Sequence, residues 1–115
     1  GDHDYGDDCD NPRLDDYLAY FTLPGVEGDE RYYRVRRGDV EVFALDTIID
    51  CHQDDGAFLA RQAAWLAAAA ADSDARFKIV LVHQPPYSSG ARHGSAEHTQ
   101  LDYAGMGIDL VLAGD

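Results

Sequence analysis

Basic residues are scarce in this chain. Lys78 is its only lysine, and eight arginines raise the basic total to 9 against 22 acidic residues, a formal net charge of −13. Such a field repels phosphate backbones and anionic lipid surfaces, so nucleic-acid binding and polybasic membrane attachment are excluded as expectations. Long apolar runs are missing as well: none reaches the ~20 residues of a spanning helix. No signal-peptide pattern is visible, but the chain begins without methionine and inside what reads as a motif, so nothing follows from that. Cysteine is sparse. Cys9 and Cys51 could pair in an oxidising compartment, yet two thiols make no disulfide framework, and the bridge is not expected. Repeats, low-complexity tracts and linkers are absent. What is present is a 45% hydrophobic content over 115 residues, enough for the core of one small domain or of part of a larger one.

The most informative stretch is Lys78-Ile79-Val80-Leu81-Val82-His83-Gln84-Pro85-Pro86-Tyr87-Ser88-Ser89-Gly90. Four consecutive branched apolar residues, Ile79 to Val82, predict a strand buried on both faces, as parallel strands in α/β proteins are. Neither Pro85 nor Pro86 can donate to a ladder, so the strand ends at His83. An imidazole thus falls at the carboxyl end of a strand, where open α/β sheets gather ligands. On position alone, a hydrogen-bonded histidine closing the strand is the favoured reading of His83.

The rest of the chain is read around that strand. Residues 1–10 form an acidic loop with Gly1, Gly6 and His3, a composition suited to a hard divalent cation. An EF-hand does not fit: counting from Asp2, Asp7 falls where glycine is required and Arg13 where the bidentate glutamate belongs. Asn11-Pro12 predicts a helix start, Leu14, Leu18 and Phe21 keep helical spacing, and Pro24-Gly25 ends it. Residues 31–37 and 39–47 predict a β-hairpin turning at Gly38-Asp39. Residues 48–56 read as loop. From Ala57 to Ala71 an alanine-rich helix carries Phe58, Leu59, Gln62, Trp65, Leu66 and Ala69 along one stripe, with Trp65 and Leu66 as core residues. After the central strand come a Ser/Gly/His loop at 88–98, a short helix near 97–105, and a last strand at 108–113. Strand, helix, strand, helix, strand argues for α/β layering.

Five segments carry a resemblance: Gly1-Asp2-His3-Asp4; the Tyr32-Tyr33 hairpin leading into Ala44-Leu45-Asp46-Thr47; Gln62-Ala63-Ala64-Trp65-Leu66; His83 to Gly90 with His93-Gly94-Ser95; and Gly107 to Gly114. In this order and spacing they resemble the calcineurin-like metallophosphoesterases, and within them the purple-acid-phosphatase-like branch, over essentially the whole chain. The resemblance implies a four-layer α/β/β/α sandwich with two metals at the strand ends. Residues 1–115 then correspond to the later half of that domain, from its Gly-Asn-His-Asp-like motif to the start of its Gly-His-x-His-like motif. The N-terminal strands and the first two motifs are missing, and the implied partner is that missing half. A secreted or periplasmic setting is favoured by the same resemblance.

Carried over residue by residue, His83 matches a metal-ligating histidine. His3 matches the histidine that contacts the phosphate and protonates the leaving group, with Asp4 as its orienting carboxylate. Asp2 stands where the family has asparagine: it keeps an oxygen donor for a metal, adds a negative charge and loses an amide donor. Asp115 stands at the first histidine of the last motif, as a further metal ligand. His93 and Ser95 lie in a loop that reads equally as a border of the substrate site or as a mobile surface loop. The implied activity is hydrolysis of phosphate esters by two divalent or trivalent ions (iron, zinc or manganese), with hydroxide on the metals as nucleophile. With ligands missing, little or no activity is expected of the chain by itself. Asp50-Cys51-His52 and Gly28-Asp29-Glu30-Arg31-Tyr32 also match family patterns but in the wrong order, and read as coincidences. His52 and His98 read as surface residues. Two other classes compete. One is a non-catalytic divalent-cation-binding module built on loop 2–10. The other is a serine hydrolase on Ser88, Ser89 or Ser95, which lacks a Gly-x-Ser-x-Gly elbow.

Overall fold

The computed structural model describes residues 1–6, 8, 10–48 and 56–115. Among them, β1 (Gly25–Val26), β2 (Asp29–Arg37), β3 (Val40–Ala44), β4 (Phe77–Val82) and β5 (Leu110–Ala113) form one mixed sheet in that order. Two helices accompany it, α1 (Asp15–Tyr20) and α2 (Ala57–Asp72). None of the described helices is long and apolar enough to cross a membrane.

Connection length explains the mixture of strand directions. Short turns join β1 to β2 and β2 to β3, giving antiparallel pairs, whereas α2 lies between β3 and β4, which are parallel, as are β4 and β5. The predicted hairpin is present. Arg37 pairs with Val40, leaving Gly38-Asp39 as the turn, and Gly38 takes the positive φ of 57° that such turns ask of their first residue. β1 is an addition to the sequence reading, which saw only the end of a helix there. Its turn is Glu27-Gly28, both at positive φ, and Gly25 lies so close to the Asp29 carbonyl that a Cβ would collide with it.

The core lies on one face of the sheet. Phe43, Val80 and Val82 point toward α2, whose Leu66, Ala69 and Ala70 are buried against them, with Trp65 packed alongside. The helical stripe predicted from Phe58 to Ala69 is therefore the packed face, and each large side chain fully buried there is worth about 2 kcal/mol. The turns at 101–108 close the same core with Leu101, Tyr103, Met106 and Ile108. The other face carries Val35, Val42, Ile79 and Leu110 in one row and Ala44, Leu81 and Leu112 in the next. Leu110 and Leu112 are nearly half exposed. The expectation of a strand buried on both faces is thus corrected: β4 is covered by α2 on one side, while Leu81 on the other is 36% exposed.

Two helix expectations also change. α1 begins at Asp15 rather than at Asn11-Pro12; the preceding residues form a turn in which the Asn11 N–H donates to the Asp8 carbonyl (3.0 Å) and the Arg13 N–H to the Tyr5 carbonyl (3.0 Å). The helix near 97–105 is a single 3-10 turn, Glu97–Thr99, followed by turns. Thr99 bonds its hydroxyl to the Ala96 carbonyl, and Gly107 adopts a positive φ.

At the amino ends of β3 and β4, Glu41 is buried at 6% exposure and fully partnered. Ser73 donates its hydroxyl to Glu41, and Arg34 and Arg36 approach the same carboxylate at 3.7 and 4.0 Å. Arg34 also donates to the Ala69 carbonyl (3.3 Å), and Arg36 pairs with Asp74 (3.0 Å), which ties the end of α2 to β2.

Candidate functional site

The opposite, carboxyl ends of β3, β4 and β5 bring the sequence-derived residues together. β4 delivers His83, and the Asp2–Tyr5 segment forms a 3-10 turn that lays Asp2 beside it. His83 Nε2 and Asp2 Oδ1 are 3.0 Å apart. Despite that approach, Nε2 is buried and has no hydrogen-bond partner of acceptable geometry. Gly1 makes room for the ring: a Cβ there would stand 2.8 Å from His83 Nδ1, whereas one on Gly114, at 3.6 Å, would make an ordinary contact. Any side chain at position 1 would therefore displace the imidazole.

Charge is biased to suit the pair. The Asp2 carboxyl is held below its ordinary range: its slight burial opposes this, and the His3 N–H together with the His83 and His3 imidazoles outweighs it. A buried, unbonded imidazole nitrogen facing a carboxylate oxygen fits a shared cation. Donors each about 2.1 Å from one ion and adjacent around it stand roughly 3 Å apart. Among the described residues no three His, Cys, Asp or Glu side chains gather closely enough to hold an ion by themselves. The described chain thus brings two donors to the point, Asp2 and His83.

The other expected residues sit around this pair. His3 is exposed and lines a groove with Asp4, Tyr5, Asn11 and Arg13. The Asp4 carboxylate accepts from the Gly1 amino group. His93 and Asp115 meet each other, Nδ1 to Oδ1 at 3.4 Å. Ser95 gives shape to the loop that carries His93: its Oγ accepts from the Ser88 N–H (2.9 Å) and donates to the Ser88 carbonyl (3.4 Å). In the acidic loop Asp8 Oδ1 accepts from the Asp10 N–H at 3.0 Å. Asp7, Cys9, Asp50, Cys51 and His52 lie outside the described residues, and with them the possible Cys9–Cys51 bridge and the Asp50-Cys51-His52 match.

Sequence reasoning missed the residues that hold the site in place. Asp46 and Thr47, just after β3, accept contacts from several elements. Tyr5, 4% exposed, donates its hydroxyl to Asp46 Oδ2. Gln62, fully buried in α2, accepts from the Asp46 N–H (2.8 Å) and donates to the Asp46 carbonyl (2.7 Å). Thr47 Oγ1 accepts from the His83 N–H at 3.3 Å. His98, expected at the surface, is half-buried and donates from Nε2 to the Thr47 carbonyl (3.1 Å) and to Gln84 Oε1 (2.9 Å), which fixes its tautomer. One signal was available in advance: Gln62 is an amide in the middle of an apolar stripe, and a buried amide must find backbone or side-chain partners.

Beside this assembly lies a cavity of about 160 Å³ lined by Gly1, Tyr5, Arg31, Tyr33, Asp46 and His83 among others. Burial, then the Asp46 carboxylate, pushes the Tyr5 phenol far above its ordinary range, so it is a donor at any physiological pH. Arg31 is clamped by Asp29, with Nε at 2.8 Å from Oδ1, and its guanidinium lies 4.1 Å from the Phe58 ring centre. No protein-family model matches the chain, and no curated protein matches it.

Proposed function

We propose that this chain is the later part of a calcineurin-like metallophosphoesterase domain of the purple-acid-phosphatase-like branch, acting on phosphate esters. The observation that carries the reading is the approach of His83 Nε2, buried and without a hydrogen bond, to Asp2 Oδ1 at 3.0 Å. The two residues are distant in sequence and meet at the carboxyl ends of parallel strands, where such sheets place their ligands. In this reading Asp2 and His83 hold metal, Asp115 adds a carboxylate, and the remaining ligands come from the missing N-terminal half. The apolar sheet face of Val35, Val42, Ile79, Leu81, Leu110 and Leu112 is then the surface on which the second sheet of a four-layer sandwich lies.

Iron, zinc or manganese bound there supplies charge to neutralise phosphoryl oxygens and to activate water. The chain's own residues do the rest. Asp2, kept ionised, is a donor across the working pH range and adds negative charge that weakens the pull on an anionic substrate. His3, exposed on the same turn, is the residue placed to protonate the leaving oxygen; Asp4, whose carboxylate accepts from the Gly1 amino group here, would orient it after turning toward the ring. His93, paired with Asp115 on the loop shaped by Ser95, borders the substrate in this reading.

Equilibrium dialysis of the purified chain against zinc or manganese, followed by elemental analysis, tests the reading. One weakly held ion, lost in His83→Ala, is expected. No ion at millimolar metal would overturn it. Binding that survives His83→Ala would favour the non-catalytic module built on loop 2–10.

A further inference from the structure

Asp46 and Thr47 are adjacent residues that reach in opposite directions. The Asp46 carboxylate takes the Tyr5 hydroxyl, and Tyr5 closes the 3-10 turn on which Asp2 sits. The Thr47 hydroxyl takes the N–H of His83 (3.3 Å). The pair is itself immobilised: Gln62 grips both backbone polar groups of Asp46, the Ile48 N–H donates to Asp46 Oδ1 (3.3 Å), and His98 holds the Thr47 carbonyl. Tyr5 in turn packs with Ile48 and Leu14 in a small cluster separate from the main core.

We propose that Tyr5 and Asp46 are positioning residues that set the separation of Asp2 and His83, and so prepare this chain's half of a divalent-cation site. The cation rests on the metal reading above; the positioning does not. Apolar side chains would hold the turn against Ile48 at a smaller desolvation cost, but they would fix no direction. A hydroxyl donated to a carboxylate fixes distance and angle together. Both Asp46 oxygens accept hydrogen bonds, one from Tyr5 and one from the Ile48 N–H, so the carboxylate ties the turn to the end of β3.

Two readouts test this on the full chain. The first needs no metal. Gly1 lies against the imidazole, with a Cβ position 3.0 Å from His83 Cε1, so a strong nuclear Overhauser effect is expected between the Gly1 α protons and His83 Hε1. It should weaken at least several-fold in Tyr5→Phe and Asp46→Ala and return in Asp46→Asn, which keeps an acceptor for the hydroxyl. Amide shifts of α2 and β4 report whether each variant is folded, and the position-46 variants decide the matter should Tyr5→Phe fail to fold. An unchanged effect in a folded Tyr5→Phe or Asp46→Ala chain would overturn the proposal. The second readout is zinc affinity, expected to fall about tenfold in Tyr5→Phe, as loss of a ligand-orienting contact commonly does. Should the Overhauser effect respond while the natural chain binds no zinc, the positioning stands and the metal reading falls.

Discussion

The two ends of the parallel strands bury polar groups in different ways. At the amino end, Glu41 is enclosed by Ser73, Arg34 and Arg36, and every charge meets a partner. At the carboxyl end, Asp46 and Thr47 are just as densely bonded, yet they support a histidine whose Nε2 is buried without a hydrogen bond. A buried polar group whose demands are met is a device of stability. At His83 Nε2 no hydrogen bond forms, although the Asp2 carboxylate stands 3.0 Å away, and on the metal reading proposed above that nitrogen is the one free to meet a cation.

The largest expected effect comes from Gln62→Ala. It empties a fully buried site and strands the N–H and C=O of Asp46, which should cost about 3 kcal/mol in urea unfolding. It should also loosen the Asp2–His83 pair. Glu41→Ala comes next, at about 2 kcal/mol, because it removes the shared acceptor of Ser73, Arg34 and Arg36. Zinc binding should be untouched. Equal damage to binding by both variants would dissolve the contrast between the ends.

Alkaline pH separates the ends without mutation. The Tyr5 pKa is raised in the fold, by burial and then by Asp46, so folding favours the neutral phenol. Its contribution is whole below the unfolded value near ~10 and is lost as pH rises from there toward the folded value, by up to about 1.4 kcal/mol per pH unit. The arginines at the other end stay charged throughout this range. A stability titration above pH 10 should therefore be shallower in Tyr5→Phe, and an identical slope would remove Tyr5 from the account. The smallest expected change in stability is that of His83→Ala, within about 1 kcal/mol, since the buried nitrogen it removes is unbonded. The same variant should abolish zinc binding.

The sequence announced the parts of the fold that rest on periodicity. The stripe from Phe58 to Ala69, the Gly38-Asp39 hairpin and the strand closed by Pro85-Pro86 all have local causes. The start of α1 departs from its local signal: Asn11-Pro12 is passed over and the helix begins at Asp15. β1 was invisible because two residues carry no period. At the site, His83 could be placed at a strand end from its neighbours alone, whereas its meeting with Asp2 could be anticipated only through the resemblance. The support at Asp46 and Thr47 was illegible for another reason: it is made by Tyr5, Gln62, His83 and His98, which come from separate parts of the chain and share no spacing rule.

The grip of Gln62 on Asp46 has a consequence for how the molecule breathes. Asp46 lies past the end of β3, where an amide ordinarily trades its hydrogen with solvent quickly, but its N–H is bonded to a side chain sunk in the core. That hydrogen can leave only when α2 lifts from the sheet, so it should exchange as slowly as those of β3 and β4. The site's support would then open with the core or not at all.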